Sequence, residues 1–162
     1  MNDDDFLRST AQRRGVSEDE VLDLNISELL QELRVAQTGV QILFAFLLTI
    51  PFATGFEAAT DVQRGAYVVT LLLCAAASAT LIAPVAFHRL LFRRGRREDL
   101  VRVANRLAIS GLALLLLAVT GAVFLVLDAV IGGAWAVSLA VGTGVGFAML
   151  WVVLPFSAHR EG

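Results

Sequence analysis

A chain of 162 residues that is 57% hydrophobic and 17% charged, with a mean hydropathy of +0.72, carries more apolar surface than a soluble domain of its size can bury, so its main solvent is lipid. With one cysteine, two histidines and a formal net charge of -2, it excludes a disulfide framework or a cysteine or histidine metal centre within one chain, and no metal, cofactor or nucleic-acid partner is expected. No charge interrupts residues 35–56, 66–87, 107–127 or 129–158, and each run is long enough for the roughly 20 residues that cross a hydrocarbon core of about 30 Å.

Residues 1–16 read as a flexible acidic tail, with Asp3, Asp4 and Asp5 beside Arg8, Arg13 and Arg14. Ser17-Glu18-Asp19-Glu20 fits a capping box and predicts a helix start. Residues 17–33 form an amphipathic cytoplasmic region, since Ile26, Leu29, Leu30 and Leu33 repeat at helical spacing opposite Glu28, Gln31 and Glu32. The first 33 residues lack the basic and apolar regions of a secretory signal, so the first span is expected to act as its own insertion signal.

Residues 34–88 read as a first transmembrane hairpin. On its first span Arg34, Gln37, Thr38, Gln41 and Ala45 fall within about 100° of one another, a polar face that should point at protein or water. Either Gln37 and Gln41 hold helices together, or this face lines a site or pathway. Pro51 is placed to end or kink the span. On the second span Thr70, Cys74, Ala77 and Ser78 share one small or polar face suited to close packing, and Pro84 is expected to kink the helix.

Residues 89–101 are an arginine-rich loop. Arg89, Arg93, Arg94, Arg96, Arg97, Arg102 and Arg106 lie between two spans, which places this loop and both termini in the cytoplasm by the positive-inside rule. Residues 1–34 hold four arginines and nine acids, and residues 88–106 hold seven arginines and two acids. Net charges of -5 and +5 suggest that the amphipathic helix docks on the loop through Glu28 or Glu32 with Arg93 or Arg97.

Residues 102–158 read as a second transmembrane hairpin, followed by a tail at 159–162. Arg106, Ser110, Ala113, Thr120, Gly121 and Asp128 lie along one side of its first span and resemble a packed interior face. Gly132-Gly133 makes the turn. Ala134, Ser138, Gly142 and Gly146 then recur every four residues, a stripe suited to helix packing within the bundle or between subunits. Trp135 and Trp151 stand about 24 Å apart along a helix, as interface anchors do. No acid falls deep in a span: Glu32, Glu57, Asp61 and Asp128 all lie near span ends.

At a constant offset of 68 the halves align without a gap, and 12 of the 39 positions between Leu33 and Leu71 are identical. Arg34-Val35-Ala36-Gln37 meets Arg102-Val103-Ala104-Asn105, and Gly65-Ala66-Tyr67 meets Gly133-Ala134-Trp135. The sequence therefore predicts an all-α membrane four-helix bundle of two tandem parallel hairpins, preceded by an interfacial helix.

The run from Glu32 to Leu48 (ELRVAQTGVQILFAFLL), with His88-Arg89 after the second span, resembles an uncharacterised family of small four-span membrane proteins of high-GC actinobacteria. The resemblance covers the chain from about Asn25 onward. Some relatives carry the label of sodium:proton antiporter, so it implies ion transport. Two functions are carried forward. The first is an oligomeric ion or proton pathway in the inner membrane, with Arg34, Gln37, Thr38, Gln41, Asn105, Arg106 and Ser110 as its polar cluster. The second is a structural or accessory membrane protein that docks a protein partner through its cytoplasmic helix. Both fit a lipid-embedded homo-oligomer. No nucleophile-base or metal-ligand constellation points to an enzyme.

Overall fold

Gly15 and Ser17 punctuate the start of the chain. In the computed structural model, which describes residues 3–91 and 97–153, Gly15 adopts φ +65° at the end of helix α1 (Asp3–Arg14). The Val16 N–H donates to the Ala11 carbonyl at 3.2 Å, the six-to-one bond of a Schellman stop. Residues 3–14, expected as part of a flexible tail, are thus helical. Ala11 on α1 and Val21, Leu22 and Ile26 on the next helix are buried, and this small apolar contact supplies what the acidic composition hid.

Helix α2 (Glu18–Thr49) begins where the Ser17 Oγ accepts the Glu20 N–H at 3.3 Å, and it runs unbroken from the amphipathic region into the first span. It ends before Pro51, which has no N–H to continue the ladder, and gives way to a 3₁₀ turn at Ile50–Phe52. A second 3₁₀ turn, Phe56–Ala58, leads to α3 (Asp61–Leu91). There Thr60 and Gln63 cap the helix reciprocally: the Gln63 N–H donates to Thr60 Oγ1 (3.2 Å) and the Thr60 N–H to Gln63 Oε1 (3.0 Å). Helix α4 (Arg97–Val130) and α5 (Gly133–Ala148) follow, joined at Gly132, and α5 finishes in a π turn, Met149–Val153.

The helices meet along seams of three- and four-residue spacing. On α3 the buried positions Tyr67, Thr70, Cys74, Ala77, Leu81 and Pro84, and on α4 Ala104, Ala108, Gly111, Leu115 and Ala118, follow these steps. On α2 the buried positions beyond Val21 and Leu22 are Ile26, Leu33, Val40 and Leu47, one such pair of steps apart. This spacing characterises helices that cross at shallow angles in bundles. Helices α3 and α4 share the most extensive contact, α2 packs on both, and α5 packs on α4. Thr70, Cys74 and Ala77 lie on the packed face expected of them, whereas Arg106, Ser110 and Ala113 are exposed. Toward the arginine end the interior face of α4 is therefore rotated from the one expected and follows the small residues Ala104, Ala108 and Gly111. Farther along the helix the expected Thr120, Gly121 and Asp128 do meet neighbours, Gly144, Thr70 and Gln63 respectively.

Glycines set the closest approaches. A Cβ on Gly111 would sit 2.7 Å from Leu81 Cδ2, and one on Gly121 would collide with Thr70 Oγ1, so α4 crosses α3 at these two points. A Cβ on Gly144 would lie 2.8 Å from Thr120 Oγ1, and with buried Ala136 and Ala140 it forms the α5 face packed on α4. That stripe also has four-residue spacing, two positions from the expected one. Ser138 and Gly142 are exposed, and a Cβ on Gly142 or Gly146 would meet nothing within 4 Å. Within the bundle, helix packing at Ser138, Gly142 and Gly146 is thus replaced by packing at Ala136, Ala140 and Gly144.

Among the described residues, four stretches are long and apolar enough to cross a membrane: Glu20–Phe52, Asp61–Ala86, Val103–Val130 and Gly133–Trp151. All described elements are helical, and the spans turn at residues 50–60 and 131–133 at one end of the bundle, called here the turn end. The opposite end, where α3 gives way to α4, is the arginine end. Positions 68 apart do not always pack alike. Val40 and Ala108 are both buried, as are Leu47 and Leu115, yet Thr70 and Cys74 are buried where Ser138 and Gly142 are exposed.

Candidate functional site

The polar residues near the arginine end divide between two kinds of position. Gln37 is half-buried, and its Nε2 donates to the carbonyl of Leu81 on α3 at 2.7 Å. Leu81 lies three residues before Pro84, next to Thr80, whose carbonyl is the one deprived of its helical donor by the proline. The Gln37 bond therefore lands in the turn beside the proline and ties α2 to α3 there. Helix α3 passes through buried Pro84 without interruption.

The same device recurs at the turn end with the helices exchanged. Leu47 lies four residues before Pro51, so its carbonyl loses its α-helical donor. Ile50 N–H turns back to it in the 3₁₀ end of α2, and the buried Tyr67 hydroxyl of α3 donates to it at 3.1 Å. Between the two, the Cys74 thiol donates to the Val40 carbonyl at 3.6 Å. Three side-chain bonds thus tie α2 to α3 along the length of the first hairpin, two of them next to prolines.

The other members of the expected cluster face away from the protein. Arg34, Thr38 and Gln41 are exposed on α2, and Asn105, Arg106 and Ser110 are exposed on α4. The hydroxyls bond within their own helices: Thr38 Oγ1 to the Arg34 carbonyl (3.0 Å), and Ser110 Oγ to those of Arg106 (2.8 Å) and Leu107 (3.1 Å). Gln41 differs, since its amide has no hydrogen-bond partner among the described residues. The set does not converge on an interior space within one chain, and only Gln37 enters the bundle. The expected pairing of Glu28 and Glu32 involves Arg93, which lies outside the described residues, and Arg97, the first residue of α4. Glu28 and Glu32 are both exposed.

Sequence reasoning placed Gln37 among candidate site residues and passed over Tyr67 as a donor. A signal for Tyr67 was present: a proline marks the carbonyl four residues earlier, here that of Leu47, as short of its helical donor. It also missed a cross-hairpin link, in which Gln63 Nε2 donates to Asp128 Oδ2 at 2.8 Å and joins the cap of α3 to the last turn of α4.

Comparison with curated proteins and with solved structures returned no match. Residues 16–155 match the model of a family described as "Family of unknown function (DUF6328)", which extends the relationship nine residues upstream of Asn25, to the residue before the Ser17 cap. A chain with four helices fit to cross a membrane, matched from the cap of α2 through α5, belongs to the family of unknown function DUF6328.

Proposed function

We propose that the protein is a non-catalytic accessory protein of the cell membrane that works as a homo-oligomer, its copies meeting along the outward stripe of α2. The observation that carries this reading is Gln41. It is exposed on α2, seven residues or about 10 Å beyond Arg34, with no hydrogen-bond partner among the described residues. A carboxamide left alone in hydrocarbon costs several kcal/mol. Facing a second copy it is donor and acceptor at once and can bond to its like. Thr38 and Ala45 continue the stripe as small neighbours that let helices approach, and the outward face of α5 at Ser138, Gly142 and Gly146 offers a further contact of the same kind.

In this reading the arginines hold residues 87–102 and both chain termini in the cytoplasm. The first turns of α2, with Glu18, Glu20, Asp23, Glu28 and Glu32, present an acidic surface there for a protein partner, and Glu28 and Glu32 pair with Arg93 and Arg97 when it is folded back. The two hairpins descend from one duplicated unit. Native mass spectrometry from lipid nanodiscs tests the central step: the wild-type chain should appear as an oligomer and Gln41→Leu should shift it toward monomer. A wild-type monomer would overturn the reading.

A second reading has a specific observation in its favour. Arg34, Gln41, Asn105, Arg106 and Ser110 all face outward, so copies meeting on these faces would enclose a polar lining, and the assembly would pass an ion or protons. Proteoliposome flux of protons, sodium or chloride separates the two. Flux reduced by Gln41→Ala supports the pathway, and its absence supports the accessory reading.

A further inference from the structure

At the turn end, opposite the arginine end, the structure holds a cavity of about 410 Å³ between the α2–α3 connection, the start of α3 and the last turns of α4. Its volume falls in the range of small-molecule sites. The walls are apolar, from Ile50, Leu125 and Ala129, with the rings of Phe56 and Tyr67 packed edge to face at 5.3 Å between centroids. Gln63, the polar side chain of the lining, holds the Asp128 carboxylate by one oxygen, Oδ2, and no bond among the described residues takes the other. Glu57, Asp61 and Asp128 against Arg64 give this end a net charge of -2.

Each feature selects for one ligand chemistry. Apolar walls take a hydrophobic body, and aromatic rings attract a cation that reaches their faces. Asp128 is not itself part of the wall, but its half-buried carboxylate stands one hydrogen bond from the lining Gln63 and keeps an oxygen free, which favours positive charge and rejects negative charge. We propose that this cavity binds an amphiphilic monocation, an organic ammonium or phosphonium with an aromatic or alkyl body, with its charge beside Asp128 and its body against Phe56 and Leu125. The position suits such a compound, which concentrates at the membrane boundary, where the helices turn. This inference does not rest on the oligomeric reading.

The test uses tetraphenylphosphonium and tetraphenylborate, ions of one shape and opposite charge, titrated by calorimetry into the full-length protein in nanodiscs of neutral lipid. The phosphonium should bind and the borate should not. Asp128→Asn, which keeps an acceptor for Gln63, should weaken phosphonium binding at least about tenfold. Ala129→Phe should abolish it by filling the cavity while leaving the carboxylate in place, with helix content checked by circular dichroism. Equal binding of the two ions, as expected if a lipid chain or any apolar body fills the cavity, overturns the proposal. So does phosphonium affinity unchanged by both substitutions, or no phosphonium binding by the wild-type protein.

Discussion

Gln37 and Gln41 stand one turn apart on α2, within about 40° on its wheel, and have opposite fates. Gln37 reaches the Leu81 carbonyl beside Pro84, and Gln41 faces outward. Removing the first should therefore cost fold stability. Gln37→Leu is expected to lose about 0.6–1.7 kcal/mol, the range of interhelical side-chain bonds in membrane proteins, in reversible unfolding by denaturant in mixed micelles. Gln41→Leu should leave the stability of a single chain unchanged. Equal losses for the two would mean that the Gln37 bond is absent. Cys74 gives a second check at this scale. It is fully buried against Val40, so maleimide should label it only after unfolding, and rapid labelling of the native protein would contradict the first-hairpin packing. The wheel puts both glutamines on one polar face, and their division follows from where the seam of Leu33, Val40 and Leu47 cuts that face, a boundary that spacing alone does not mark.

At the scale of helices, small residues on two faces of α5 compete for one role. Ala136, Ala140 and Gly144 pack on α4, and Ser138, Gly142 and Gly146 do not, although both sets repeat every four residues. The sequence shows that α5 can pack closely but not on which side, because the choice belongs to Thr120 on another helix. Helix existence was the more legible part, since charge-free runs, Pro51 and Ser17 mark ends through local chemistry. Helix α1 was not read, because its few apolar contacts lie across a turn from a strongly acidic composition. The glycines give the measurable consequence. Gly121→Ala drives a methyl into Thr70 and should destabilise the chain by about 1–3 kcal/mol, the cost of overpacking, and adding Thr70→Ala should recover part of the loss. Gly142→Ala, with open space around it, should change unfolding by less than about 0.5 kcal/mol. A Gly142 effect as large as that of Gly121 would show that α5 packs by its other face.

For the whole molecule, charge divides the chain into an arginine end and a weakly acidic turn end, and the prolines with their donors fasten α2 to α3. The docking proposed for residues 1–34, net -5, on residues 88–106, net +5, belongs to this scale. Each exposed pair contributes about 0–1 kcal/mol, so only the sum is felt. Glu28→Arg with Glu32→Arg should speed proteolysis of the N-terminal segment, and an unchanged rate would remove the docking from the account.

The central claim is that copies meet on the outward stripe of α2, and cysteine crosslinking in native membranes tests it most directly. In a Cys74→Ala background, Gln41→Cys should form a disulfide-linked dimer under mild oxidation, while Val69→Cys, on an exposed position of α3, should remain monomeric. Monomer at both positions, or equal crosslinking at both, would contradict it.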